Sequence, residues 1–130
     1  MREKALNMLG LMRRANAIQI GEDKTGASVK AGKAKLLLLA ADASDNARRR
    51  AETFITGRNV QLVPLQFDKA ELSERLGVNG CSMAAVTDLG FANAFVKLLL
   101  NLDGEGYGEI AQQVEKRFEK AERRKNSKKV

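Results

Sequence analysis

The feature that most constrains the fold is the stretch at residues 35–43, KLLLLAADA. Apolar residues follow one another here without the alternation that a strand with one solvent-facing side would show. Such a run favours a central β-strand that is covered by helices on both faces. A buried helix is the alternative that the run alone leaves open.

The segments before this run predict a helix, a short strand and a second helix. Residues 4–15 carry apolar side chains at helical spacing, and residues 18–20, IQI, alternate as a short strand before Gly21. Residues 22–32, EDKTGASVKAG, begin with acidic residues and end with a lysine and a glycine. These charges suit the dipole at each end of a helix, and glycine is a common residue just beyond a helix.

The segments after the run predict further helices and strands. Three helices follow capping residues: one over 46–56 after Ser44, one over 69–76 after Asp68, and one after Asp88 that carries the stripe Phe91, Phe95, Leu98, Leu99 and Leu102. Two strands are predicted at residues 60–65 and 81–87, and Pro64 favours a sheet edge because proline has no N–H group to donate. Residues 103–106, DGEG, predict a loop before a last charged helix over 107–124.

The predicted order is therefore αβαβαβαβαα. Alternating short strands and helices, without internal repeats, predict an α/β protein whose single domain is a three-layer α/β/α sandwich of about four strands, some of them parallel. A chain of 130 residues has room for one domain of ordinary size. We expect this domain over residues 1–114, followed by a basic helix end and tail over residues 115–130.

The formal net charge of +7 points first to nucleic acid as a partner. Residues 115–130 contain eight basic and three acidic residues, so most of the excess lies in the tail and the body is nearly balanced. Two interpretations of the tail stay open, a solvated terminus and an arm that binds phosphates.

Most enzyme chemistry lacks its residues in this chain. With no histidine and one cysteine, Cys81, the sequence excludes His-dependent triads, disulfides and structural zinc sites. Phosphate-binding loops, dinucleotide fingerprints and nucleophile elbows are also absent from it. We interpret Asp42 and Asp45 as helix caps rather than metal ligands, and Cys81 as a small buried side chain. We therefore predict no catalytic site, no cofactor and no metal.

The apolar runs are too short to span a bilayer, and the first residues lack the apolar core of a secretion signal. A cytoplasmic protein that does not contact membranes is expected from these features.

Three segments are suited to bind phosphates or bases. The turn at Gly21 opens a helix whose free backbone N–H groups can receive an anion or a base edge, with Lys24 beside them. Arg48, Arg49 and Arg50 follow the central strand, and the basic tail is the third segment. An ordinary helix start, a solvated helix face and a disordered end are the respective alternatives.

Together these segments resemble the L-seven-Ae type of ribosomal protein, particularly its bacterial YlxQ-type branch. The resemblance covers roughly residues 4–102 and is strongest in the spacing from Gly21 to Gly32, in GKAKLLLLAADA, and in the Thr87, Asp88, Gly90, Phe91 pattern. It implies an α/β/α sandwich with a four-stranded mixed sheet. It also implies binding to a kink-turn, a sharply bent RNA internal loop with sheared guanine–adenine pairs.

The resemblance also assigns the RNA-binding positions of the family to residues of this chain. The start of the second helix would read guanines, and a loop before the last strand would pack on a flipped-out base. The corresponding residues are Gly21, Glu22, Asp23, Lys24 and Ala27 at the helix start, Val78, Asn79 and Gly80 in the loop, and Arg48 nearby.

At three of these positions the chain differs from usual kink-turn binders, which carry Asn, then Glu or Gln, and Lys three residues further on. Asp23 cannot donate to guanine acceptors, Lys24 cannot accept from guanine N–H groups, and Ala27 makes no phosphate contact.

The main hypothesis is a monomeric, noncatalytic protein that binds structured RNA, such as ribosomal or kink-turn RNA, with ribosomal or translation-associated proteins as further partners. An adaptor of the same fold, docking a protein through Ile110, Val114 and Phe118 of the last helix, is the alternative. An enzyme for a small phosphorylated ligand ranks below both.

Overall fold

The computed structural model describes residues 2–127 and has the predicted order of elements in that range. The helices are α1 (Arg2–Arg14), α2 (Glu22–Lys30), α3 (Asp45–Ile55), α4 (Lys69–Leu76), α5 (Leu89–Leu102) and α6 (Gly104–Ser127). The strands are β1 (Ile18–Ile20), β2 (Leu36–Leu39), β3 (Gln61–Pro64) and β4 (Met83–Val86).

The four strands form one mixed sheet in the order β1-β4-β2-β3. Strand β2 is parallel to β3, whereas β4 runs antiparallel to both β1 and β2. All four residues of β2 are buried, which confirms the prediction of a central strand with both faces covered. Strand β3 lies at the edge, as Pro64 predicts.

The helices form two layers, one on each face of the sheet. Leu36 and Leu38 belong to the larger core with residues of α1, α4, α5 and α6, whereas Leu37 and Leu39 pack with α3 on the other face. Helix α2 lies beside α3 and buries Val29 against Ala85 of β4. Successive side chains of a strand point to opposite faces, so a run of four leucines supplies both cores. The predicted three-layer α/β/α sandwich is confirmed.

The predicted caps hold the helix starts in place. The Ser44 hydroxyl accepts the Ala47 N–H at 3.1 Å, and the Asp88 carboxylate accepts the Phe91 N–H at 2.8 Å. Asp68 forms a reciprocal capping box with Glu71. Each cap satisfies a backbone N–H that has no partner within its own helix, and these helices therefore start within one residue of the predicted position.

The predicted loop over residues 103–106 is wrong. Only Asp103 separates α5 from α6, because its carboxylate accepts the Gly106 N–H at 3.0 Å and its carbonyl accepts the Tyr107 N–H at 3.1 Å. Asp103 thus caps a helix that already begins at Gly104. The expected boundary between residues 114 and 115 falls within this helix.

Helix α6 packs along α5 and against the edge strand β3, with a contact at each end of β3. The Tyr107 hydroxyl donates to the Pro64 carbonyl at 2.7 Å, and Nη1 of Arg117 donates to the Asn59 carbonyl at 2.8 Å. Burial raises the pKa of the Tyr107 hydroxyl, with a smaller contribution from the negative charge of Asp103. These contacts fix the direction of α6 across the molecule.

The face of α6 that the adaptor hypothesis uses is occupied by the protein itself. Val114 is 1% exposed, and Ile110 packs against the same core. Phe118 is half-buried and lies near Gly90, in the first turn of α5. This stripe stabilises the fold, so the prediction that it docks a partner is wrong.

Candidate functional site

The topology brings the predicted site segments to one edge of the sheet. Because β4 is antiparallel to β1 and β2, it begins where they end: Ile20 pairs with Ala84, and Leu39 pairs with Met83. The starts of α2 and α3 and the loop before β4 therefore share this edge, which we call the site edge. The opposite edge, where Leu36 begins β2, is called the far edge.

The start of α2 is open to a ligand. Gly21 is its N-cap, with φ of 97° and no side chain to accept the first N–H groups of the helix. The Gly21 N–H itself donates to the Met83 carbonyl at 3.0 Å. A Cβ atom added at Gly21 would meet nothing within 4 Å, so a ligand can approach the backbone closely. The N–H groups of the first turn can donate to an anion or to a base acceptor.

The loop before β4 is held against Gly21 through Cys81. The Cys81 side chain is 2% exposed, and its thiol donates at 3.2 Å to the Met83 carbonyl, which also accepts the Gly21 N–H. Burial raises the pKa of this thiol, which keeps it neutral. The predicted small, buried role of Cys81 is confirmed, and Cys81 also joins the loop to the start of α2.

The three predicted loop residues differ in their availability. Val78 is half-buried and packs on the larger core, whereas Asn79 and Gly80 are exposed. Val78 therefore offers only part of its side chain to a base. Asn79 adds an amide that both donates and accepts hydrogen bonds.

The charged residues at the start of α2 have different surroundings. Glu22 pairs with Arg50 across to α3 at 3.3 Å, and the Arg50 guanidinium lies over the Phe54 ring, 5.6 Å from its centroid. Asp23 and Lys24 are exposed. The acceptor and the cation that remain available to a ligand at this helix start are thus Asp23 and Lys24.

The three consecutive arginines of α3 separate into different roles. Arg49 folds back on its own helix, donating to the Asp45 carbonyl and to Oδ1 of Asn46, both at 3.3 Å. Arg50 is engaged with Glu22. The Arg48 side chain makes no hydrogen bond or ion pair within the described part of the chain, and Arg48 lies exposed in the first turn of α3 at the site edge. Arg48 is therefore the arginine best placed for a phosphate.

A groove of about 460 Å³ runs between α2 and α3. It is lined by Asp23 towards the site edge, by the exposed Ala27 along α2, and by Lys30 and Arg58 towards the far edge. Gly26 allows the two helices to approach, because a Cβ there would lie 2.8 Å from the Phe54 ring. Sequence reasoning missed this contact, although a glycine inside a short helix is a recognised sign of close packing.

The two aspartates after β2 lie at the starts of helices rather than in a metal site. Oδ1 of Asp42 accepts the Lys69 N–H of α4 at 2.8 Å, and Asp45 is the first residue of α3. The capping role is confirmed for Asp42, which caps α4 rather than α3, but it is wrong for Asp45, because the cap of α3 is Ser44. Among the described residues no cluster of three or more potential metal-ligating side chains occurs. None of the helices in residues 2–127 is long and apolar enough to cross a membrane.

The chain belongs to the Ribosomal protein L7Ae/L30e/S12e/Gadd45 family, whose sequence profile matches residues 3–96. Two curated relatives carry the name RNA-binding protein YlxQ. The protein from Enterococcus faecium is 32% identical over 75% of this chain and 93% of its own length, and that from Bacillus subtilis (strain 168) is 34% identical over 71% and 91%. The predicted resemblance is confirmed, and the names agree with a binding protein rather than an enzyme.

Two solved structures share the fold. A Bacillus halodurans protein of unknown function gives a TM-score of 0.67 at 23% identity, covering 73% of this chain and 95% of its own. The Giardia lamblia 15.5kD RNA binding protein gives 0.55 at 23% identity, covering 85% and 83%. The family match ends at residue 96, so α6 lies beyond it.

Proposed function

We propose that the chain binds structured RNA at the site edge and catalyses no reaction, with a bent, kink-turn-like RNA as the ligand. The observation that supports this most directly is the shared Met83 carbonyl, which accepts the Gly21 N–H at 3.0 Å and the Cys81 thiol at 3.2 Å. It joins an uncapped helix start to the loop before β4, at the edge where Arg48 lies. Residues 1–114 would form the binding domain, as expected from the sequence.

The exposed groups suit an unpaired or sheared base better than a regular duplex. Backbone N–H groups of the first turn of α2 would donate to base acceptors, and Asp23 would accept from the N–H groups of a guanine. Lys24 and Arg48 would contact phosphates, and the partly exposed Val78 would pack on a splayed base. A regular A-form major groove is too narrow for such contacts, whereas bent and unstacked RNA exposes the base edges.

The family membership and the names of the relatives support RNA as the ligand class. We propose that the RNA is part of ribosomal RNA, with ribosomal or translation-associated proteins nearby. We also propose that the protein acts as a monomer in the cytoplasm. No cofactor or metal is required by these contacts.

Gel shifts with two RNAs test the proposal. One RNA contains a kink-turn, and the control RNA has the sheared pairs replaced by Watson–Crick pairs. We expect tighter binding to the first, because only this RNA splays bases towards the loop and the helix start. Equal binding to both would contradict recognition at the site edge and would leave only electrostatic attraction, which has no sequence dependence.

A matched pair of arginine variants locates the contact. Arg48→Ala and Arg49→Ala remove the same charge from adjacent positions, but Arg49 already bonds to its own helix. We expect Arg48→Ala to weaken binding by roughly 1 kcal/mol, about fivefold. The slope of log K against log salt concentration should also become shallower, by the amount that one lost phosphate contact predicts. Equal effects of the two variants would place the contact elsewhere.

A further inference from the structure

The far edge carries a second group of basic side chains, distinct from the site edge. It lies where α2 and α3 end and where β2 and β3 begin. The group consists of Lys30, Lys33, Lys35, Arg58 and Arg117. Within residues 2–127 none of these five forms an ion pair with a carboxylate. No carboxylate of the described residues therefore pairs directly with the positive charge of this edge.

Two of these arginines are held in place by backbone carbonyls. Nη1 of Arg117 donates to Asn59 at 2.8 Å, and Nη1 of Arg58 donates to Lys30 at 3.5 Å. Both side chains line one cleft of about 250 Å³ beside Gly32. Partial burial lowers the pKa of Arg117, but a guanidinium remains charged at physiological pH. Two positioned guanidinium groups at one cleft suit phosphate oxygens, which accept their parallel N–H bonds.

The basic end of α6 emerges at the same edge. Phe118 lies near Gly90, which places this part of α6 beside the start of α5 at the far edge. The helix continues to Ser127, about 13 Å further, and residues 119–125 are exposed. This projecting segment carries Lys120, Arg123, Arg124 and Lys125 against Glu119 and Glu122, so its net charge is +2. The positive charge of the tail therefore extends the far-edge group rather than the site edge.

The two edges lie close enough for one RNA to reach both. Helix α2 has nine residues and spans about 13 Å between them, and the groove beside it is lined from Asp23 to Lys30 and Arg58. Leu11, the one large apolar side chain that is exposed in the described part of the chain, lies beside Met8 and Phe91 and lines neither the groove beside α2 nor the far-edge cleft. The far-edge group thus lacks the apolar anchors by which proteins and membranes are usually bound.

We propose that the far edge is a second RNA-binding face, which holds the phosphate backbone of a helical arm flanking the RNA at the site edge. This inference rests on the proposed function, because the site edge supplies the first contact with the same RNA. Helix α6 lies beyond the family match and contributes Arg117 and the projecting basic segment. This chain would therefore hold a longer RNA than the family domain alone.

The test compares a short kink-turn RNA with the same RNA after one flanking duplex is lengthened by a full helical turn. Binding is measured over a range of salt concentrations for wild type, Lys33→Gln/Arg58→Gln, Arg123→Gln/Arg124→Gln, and the control Lys4→Gln/Lys97→Gln. The control removes two exposed positive charges from α1 and α5, of which Lys97 pairs with Glu115 of α6 at 3.5 Å. Thermal unfolding of each variant checks that it is folded.

We expect wild type to bind the longer RNA more tightly and with a steeper salt dependence. Both far-edge variants should lose this preference, and the slopes of their binding against salt on the longer RNA should fall by about 1.8, as two lost phosphate contacts predict. Their binding to the short RNA should match that of the control.

Three outcomes would overturn the inference. They are an equal effect of the far-edge variants on both RNAs, an effect confined to Arg123→Gln/Arg124→Gln, and competition by polyglutamate as strong as that by duplex RNA. The first would indicate action at the site edge, the second a nonspecific tail, and the third an acidic protein partner. If wild type binds neither RNA, the proposed function itself fails, which is a separate result.

Discussion

Replacing Gly26 by alanine tests how closely α2 approaches α3. The new Cβ would lie 2.8 and 2.9 Å from two carbons of the Phe54 ring, whereas carbon atoms at optimal contact lie about 3.5–4.0 Å apart. The ring or the helix must therefore retreat by roughly 0.7 Å or more. Overpacking of this kind costs about 1–3 kcal/mol, and the better helix propensity of alanine returns about 1 kcal/mol. We expect a net loss near 1 kcal/mol.

Whether Gly26→Ala destabilises or stabilises the protein should depend on the Phe54 ring. In a Phe54→Leu background the clash is relieved, so Gly26→Ala should stabilise the protein by up to about 1 kcal/mol. The coupling between the two sites is then about 2 kcal/mol, within the range for residues in contact. Urea unfolding measures these stability changes as shifts in the midpoint urea concentration while the m-value stays constant.

Gly108→Ala is the matched control. Gly108 also lies inside a helix, but a Cβ there meets nothing within 4 Å, so this variant should be stabilised in both backgrounds. If Gly26→Ala behaves like Gly108→Ala whichever residue occupies position 54, the described packing of α2 on α3 is refuted.

Three further predictions concern the ends of the sheet. Gly21→Ala should cost about 1–3 kcal/mol and weaken RNA binding, because φ of 97° is strained for alanine; an unchanged melting temperature would contradict this. Tyr107→Phe should lower stability by about 1 kcal/mol through loss of the bond to Pro64, seen as a fall of a few degrees in Tm, and an unchanged Tm would show that water replaces the bond fully. Burial raises the pKa of Cys81, so its contribution to the free energy of unfolding is fully present below about pH 8.5 and declines as pH rises further. Cys81→Ala should therefore flatten the plot of unfolding free energy against pH from about pH 8 upwards. Identical plots for the variant and wild type would contradict this.

The sequence predicts the fold well where one residue pattern has one physical outcome. Four leucines in succession can be buried on both sides only in a central strand or a buried helix, and the neighbouring glycines and caps select the strand. Asp68 and Asp88 begin helices because their carboxylates accept N–H groups that the helix leaves free. Such local interactions are visible in the order of residues.

The errors occur where the outcome depends on distant contacts. Two glycines after Asp103 favour a loop by composition, yet the cap and the burial of Tyr107 continue the helix. The stripe with Val114 shows that α6 buries one face, but the stripe cannot show whether the partner is α5 or another protein.

The candidate site is predictable in part for the same reason. The order of residues indicates that Gly21 opens a helix and that Arg48 follows a strand. It gives no indication that Arg50 is engaged with Glu22, or that Cys81 joins the loop to the helix start. These contacts depend on the strand order, in which β4 enters between β1 and β2.

The strand order also has a consequence for the time course of synthesis. Strand β1 leaves the ribosome early, but its partner in the sheet is β4, and Ile18 pairs with Val86. A nascent chain that stops before Met83 therefore lacks the carbonyl that accepts both the Gly21 N–H and the Cys81 thiol. Long-range pairing of this kind forms late, after the intervening chain has been made. We therefore expect the proposed binding site at the site edge to form only when most of the chain has been translated, so that truncated products would not compete for the RNA.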